Sequence, residues 1–175
     1  MSRSRNEILS ITKVGLTVCV IVVGILAQTA KPLVPADPPA QPLPFSHKHH
    51  ISQGLKCQGC HTNPDPGEKM TFPATAKCMA CHEEVSADKP TIRTLAGFHQ
   101  NKAPIPWVRI YQNPDWVWFS HRAHLDAGAK CDRCHGAVAE RDVLWKEVPI
   151  KMESCMKCHR ESNASIACNY CHEGH

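Results

Sequence analysis

The 175-residue chain lacks a marked excess of either charge: 20 Lys and Arg stand against 16 Asp and Glu, a formal net charge of +4. The dense basic stripe of a nucleic-acid-binding protein is therefore missing, and no nucleic-acid partner is expected. Fourteen prolines punctuate the chain, which works against long helices and regular sheet and predicts short helices with much coil. Aromatic residues make up only 6% of the sequence. Apolar runs long enough to approach a bilayer's thickness are limited to one, near the N-terminus.

Cysteine, by contrast, is abundant, with eleven residues. Ten of them fall in five C-x-x-C-H strings: Cys57 and Cys60 with His61, Cys78 and Cys81 with His82, Cys131 and Cys134 with His135, Cys155 and Cys158 with His159, and Cys168 and Cys171 with His172. This is the pattern of covalent haem c attachment, in which two thiols one helical turn apart add across the vinyl groups and the adjacent histidine reaches the iron. Zinc sites and disulfide scaffolds also use paired cysteines, but neither explains a histidine that recurs directly after the second thiol. Five haem c groups, each with its iron, are therefore expected.

Haem c is attached outside the cytoplasm, so an export signal should be present. Val14 to Ala30 carries no charge and follows Arg3, Arg5 and Lys13. At ~1.5 Å per residue it would form a helix of roughly 25 Å, near the lower limit for crossing a bilayer. Anchor and signal peptide are both compatible with that length. Gln28-Thr29-Ala30 makes a poor cleavage site and Leu16-Thr17-Val18-Cys19 a poor lipoprotein site. The expectation is an uncleaved transmembrane helix over residues 14–30, with residues 1–13 in the cytoplasm, Cys19 a bystander in the membrane, and the rest on the periplasmic or outer side.

Residues 31–44 hold six prolines and no glycine, a stiff extended spacer or strap. Phe45 then opens an internal repeat. Phe45-Ser46-His47-Lys48-His49-His50 through Lys56-Cys57 matches Phe119-Ser120-His121-Arg122-Ala123-His124 through Lys130-Cys131 without a gap. The sequence thus divides into a first module over residues 45–118 with two haem strings and a second over 119–175 with three. Between them, Trp107-Val108-Arg109-Ile110-Tyr111 and Trp116-Val117-Trp118-Phe119 flank Asn113-Pro114-Asp115, alternation that predicts a small β-hairpin whose rings pack on haems. The predicted fold is mostly irregular, with short α-helices around the haem strings.

Five irons need five further ligands to be six-coordinate. Of the twelve histidines, seven lie outside the strings: His47, His49, His50, His99, His121, His124 and His175. The repeat equates His47 and His50 with His121 and His124, whereas His49 aligns with Ala123. His175 is terminal, where fraying disfavours a ligand. His99 is left as the fifth, with His49 and His175 as alternatives. If all five sites are closed, no iron can bind substrate, and the protein only moves electrons.

The F-x-H-x-x-H element followed by C-x-x-C-H resembles the class III cytochromes, the c3 and c7 type, over Phe45 to His172. More narrowly, the five strings, the single anchor and the run from Pro104 to His121 resemble the pentahaem subunit of alternative complex III. That resemblance implies a respiratory complex of the inner membrane that passes electrons from quinol to a cytochrome or oxidase. It also implies iron–sulfur and quinol-oxidising subunits, a monohaem cytochrome and membrane lipid as partners. The c7 resemblance implies ligand pairs as well: His47 with His61, His50 with His82, His121 with His135, His124 with His159, and by remainder His99 with His172. Three other functions compete. A stand-alone quinol dehydrogenase resembles C-x-x-C-H-x-M, but Asn63, Glu84, Ala137, Glu161 and Gly174 stand where the Met would be. A multihaem nitrite reductase commonly has a C-x-x-C-K string, which is missing here. An anchored carrier for a photosynthetic or extracellular conduit stays open.

Overall fold

Among the described residues, proline and the paired cysteines leave helices of at most eleven residues joined by coil. The computed structural model describes residues 38–172. The expected anchor, Val14 to Ala30, lies outside them, as do Cys19 and His175; among the described residues no helix is long and apolar enough to cross a membrane. The helices are α1 (His47–Ser52), α2 (Cys57–Cys60), α3 (Thr75–His82), α4 (Pro90–Gln100), α5 (His121–Asp126), α6 (Cys131–His135), α7 (Met152–Glu161) and α8 (Asn169–His172). A 3-10 turn covers Val138–Glu140.

The repeat is legible atom by atom. Ser46 and Ser120 precede α1 and α5, and each hydroxyl caps its helix by accepting from a backbone N–H three residues on, His49 at 2.9 Å and Ala123 at 3.2 Å. Each copy holds the start of the other's first helix. The Lys48 N–H donates to the Arg141 carbonyl (3.0 Å) and the Arg122 N–H to the Gly67 carbonyl (3.0 Å); Lys48 is the repeat counterpart of Arg122, and Gly67 of Arg141. Likewise the Ser46 hydroxyl donates to Asp142 Oδ1 (2.6 Å), while the His121 N–H donates to the carbonyl of Glu68, the counterpart of Asp142 (3.3 Å). The exchange is two-fold. Arg122 adds an ion pair to Asp65 and a bond to the Asn63 carbonyl (3.1 Å). Arg141, which stands where the first copy has Gly67, turns to Glu147 (2.5 Å) and holds that carboxyl below its usual range.

The apolar core is small. Leu43, Met79, Leu95 and Ile105 are the buried hydrophobics among the described residues, at the seam of α3 and α4. Leu43 comes from the stretch expected to be a spacer, and Gln41 beside it exchanges two hydrogen bonds with the Val108 backbone (2.9 and 3.0 Å). The spacer's end is therefore laid along the domain.

The predicted hairpin does not form, and the described residues contain no strand. Its arms find backbone partners elsewhere: Val108 bonds Gln41, and the Trp118 N–H donates to the Cys171 carbonyl (2.8 Å). Pro104, Pro106 and Pro114 remove donors that a ladder would need. The alternation of bulky residues instead serves separate contacts, with Trp107 against Phe45 and Phe72, Tyr111 against His135, and Trp116 against His172.

Gly67 offers a test of the exchanged contact. It has φ +97°, and a Cβ there would come within 2.6 Å of the Arg122 Cβ, whereas Gly54 (φ +83°) has nothing near. Both alanine variants bear backbone strain of about 1 kcal/mol. Gly67→Ala should lower the thermal midpoint of the haem-loaded protein by several degrees more than Gly54→Ala. Equal midpoints would show that the contact does not hold the copies together.

Candidate metal centres

Each C-x-x-C pair occupies one helical turn or lies at a helix start, so its two thiols emerge on one side, and the following histidine lies in the last turn of the helix or just beyond it. All ten of these cysteines, Cys57, Cys60, Cys78, Cys81, Cys131, Cys134, Cys155, Cys158, Cys168 and Cys171, are exposed or half-buried and unbridged.

Four string histidines face a second histidine across a gap of nearly constant width. The ring centroids are 6.3 Å apart for His47 and His61, 6.2 Å for His50 and His82, 6.4 Å for His121 and His135, and 5.9 Å for His124 and His159. Two metal–imidazole bonds of about 2.0–2.1 Å, plus the distance from each nitrogen to its ring centre, put two coaxial imidazoles about 6 Å apart. The pairs therefore fit one iron each between their rings.

The Phe-Ser-His motif builds these pairs. Phe45 wedges between His47 (4.8 Å, edge-on) and His50 (4.2 Å, stacked), and Phe119 does the same for His121 (4.8 Å) and His124 (4.4 Å). Backbone carbonyls fix the tautomers. Nδ1 of His50 bonds the Ser46 carbonyl and Nδ1 of His124 the Ser120 carbonyl, both at 2.7 Å; His61 bonds Thr71 (2.8 Å), His82 bonds Val85 (2.9 Å), His121 bonds Glu68 (2.7 Å) and His159 bonds Ser165 (2.6 Å). A carbonyl only accepts, so Nδ1 carries the proton and Nε2 keeps a free lone pair for metal. Burial, with His61 and His50 nearby, lowers His47 to about 4, and burial with His121 and His61 lowers His135. Both rings are thus neutral at physiological pH, the form that ligates.

The fifth string differs. The ring that stands against His172 is Trp116, at 5.5 Å and 23° between planes. His99, expected opposite His172, sits on α4 with its Nδ1 3.1 Å from the Thr75 hydroxyl, lining a cavity with His82, Met79 and Ile92. Helix α4 folds back on α3, which carries His99 to the haem string at Cys78. Counting spare histidines chose His99 as the ligand opposite His172, whereas the fold sets its ring beside Thr75 and His82. The carbonyl partners leave no trace in sequence, whereas Phe45 and Phe119 were visible as repeat positions whose role was not.

The strings also form a sequence in space. Burial, and then a neighbouring thiol of another string, pushes four cysteines up: Cys78 beside Cys60, Cys131 beside Cys57, Cys134 beside Cys158 and Cys155, and Cys155 beside Cys171. The order is Cys78, Cys57, Cys131, Cys155, Cys168. The string at Cys57 meets its repeat counterpart at Cys131 in the middle.

Known proteins match on both halves. Residues 117–173 match the family described as cytochrome c7 and related cytochrome c, and residues 27–106 the class III cytochrome C family. The multiheme cytochrome c subunit of menaquinone reductase from Nitratidesulfovibrio vulgaris (strain Hildenborough) is 30% identical over 161 residues, covering 76% of this chain and 77% of that protein.

The ring pairs generate a contrast between two variants. In the oxidised haem-loaded protein, His124→Ala should remove one haem's share of the low-spin electron paramagnetic resonance signal. His99→Ala should leave the ligation signals intact. Loss of a low-spin component in His99→Ala would return that residue to an iron.

Proposed function

We propose, from the premise that this chain belongs to the class III, c7-type multihaem cytochromes c, that it carries five haem c groups as an electron relay between a quinone-active membrane partner and a further redox protein. Membership of the family makes it an electron-transfer protein. The observation that carries the relay is the succession of five strings in line, four of them with a histidine pair spaced for one iron. When bound, each haem supplies an iron that alternates between ferric and ferrous. The protein's part is to hold thiols at vinyl spacing and to present Nε2 lone pairs by locking Nδ1.

The ten string cysteines hold the haems, the five string histidines are proximal ligands, and His47, His50, His121 and His124 are distal ligands in the pairs given above. Histidine on both sides keeps potentials low relative to His/Met haems. The apolar segment from Val14 to Ala30 supports a single-pass anchor in the inner membrane with the haem domain in the periplasm. Quinol-oxidising and iron–sulfur subunits and a monohaem cytochrome are the partners that the resemblance to alternative complex III supports. The relative's name supports a second reading, in which electrons run toward menaquinone. The same relay serves either direction.

Purification in mild detergent should yield a membrane complex in which a menaquinol analogue reduces the haem c bands. The isolated chain should take electrons from dithionite but not from the quinol. Quinol reduction of the isolated chain would place the quinone site on it and remove the need for a partner.

A further inference from the structure

The four histidine pairs fall into two classes by the angle between their planes. His47 with His61 and His121 with His135 are nearly parallel, at 10° and 8°, whereas His50 with His82 and His124 with His159 are turned by 62° and 42°. The parallel pairs belong to the strings at Cys57 and Cys131, which meet in the middle of the succession. Rotation of an imidazole about its Cβ–Cγ bond has broad minima, so a chosen angle has to be held by neighbours. At His61, His82 and His159 a carbonyl on Nδ1 does this. At His135 a ring does: Tyr111 stands edge-on to the imidazole, with centroids 4.7 Å apart and planes at 84°.

Tyr111 is itself placed from three sides. Its hydroxyl accepts from the Glu147 N–H (3.0 Å) and the Val148 N–H (3.1 Å) and donates to the His135 carbonyl (3.5 Å). Both lone pairs and the proton of the phenol are thereby used. Glu147 is held in turn by Arg141 (2.5 Å) and by the Ala137 N–H (3.1 Å). The phenol therefore ties the last residue of the string at Cys131 to the segment that follows it.

We infer that Tyr111 is the positioning residue of the iron held by His135: its ring fixes the rotation of that imidazole and keeps it parallel to His121. This rests on the haem reading given above, and it adds to the relay a side chain that lies outside every C-x-x-C-H string and outside the F-x-H-x-x-H element. Groups behind a ligand orient it and so tune its metal. The angle is visible in the iron. Parallel imidazole planes separate the two iron d orbitals that interact with the rings and give a rhombic low-spin electron paramagnetic resonance signal, whereas turned planes leave those orbitals close in energy and give a signal of large anisotropy.

The test uses the full-length haem-loaded protein, oxidised, with a pyridine haemochrome count on every sample. Tyr111→Leu should keep the wild-type count and, by spin integration, lose one haem's share of the rhombic signal to the class of large anisotropy. Tyr111→Phe, which keeps the ring, should retain that share. Trp145→Leu, which loosens the same segment at its contact with Arg141, should lower the thermal midpoint and leave the spectrum unchanged. An unchanged Tyr111→Leu spectrum at full haem count would overturn the inference and leave the relay standing. So would a Tyr111→Phe or Trp145→Leu spectrum altered as much as that of Tyr111→Leu. If Tyr111→Leu loads fewer haems than the wild type, Tyr111→Met puts the same question. A wild-type chain with Cys131 and Cys134 unmodified would overturn the haem reading itself.

Discussion

The fold depends on a shortage of apolar interior. Among the described residues, the four buried hydrophobic side chains at the α3 and α4 seam are too few to order so coil-rich a stretch against its conformational entropy. Haem attached through thioethers supplies a large flat apolar body and, as a cross-link, restricts the unfolded chain much as a disulfide does. The arrangement of short helices is intelligible as a set of holders for such bodies. The local devices that do not need a core are correspondingly well made: serine caps, phenylalanine wedges between histidines, and carbonyl locks on imidazoles.

These devices explain why some of the site was readable in sequence and some was not. Covalent attachment demands fixed spacing, so Cys57-Gln58-Gly59-Cys60-His61 and its four relatives announce themselves. The repeat, whose copies preserve Phe, Ser and both histidines, singled out four spare histidines, and the resemblance to c7-type cytochromes implied the partners that the fold places opposite them. Contacts made by the backbone have no such signature. Nothing in Thr71, Val85 or Ser165 marks its carbonyl as a partner of a ligand histidine.

The two misreadings share a cause. Alternating bulky residues from Trp107 to Phe119 report that side chains face two ways, but say nothing about which backbone answers Val108 or Trp118; Gln41 and Cys171 do. Likewise a count of histidines balances ligands against irons but cannot see that α4 folds back toward α3. His99 was chosen by remainder, and its partner Thr75, at the start of the helix that carries Cys78 and Cys81, has nothing in the sequence that marks it as one. In both cases the competing partner came from a distant stretch that local patterns do not report.

The reciprocal bonds from Lys48 to Arg141 and from Arg122 to Gly67 have one more consequence. They set the strings at Cys57 and Cys131 face to face with the same histidine pairing, the same capping serine and the same phenylalanine wedge on each side. The caps, wedges and histidine pairs on the two sides of this junction are alike, whereas the charged neighbours differ, with Arg122 paired to Asp65 and Arg141 to Glu147. The two ends of the succession are unlike in shape as well, with α4 packed on the helix of the string at Cys78 and Trp116 against His172 of the string at Cys168.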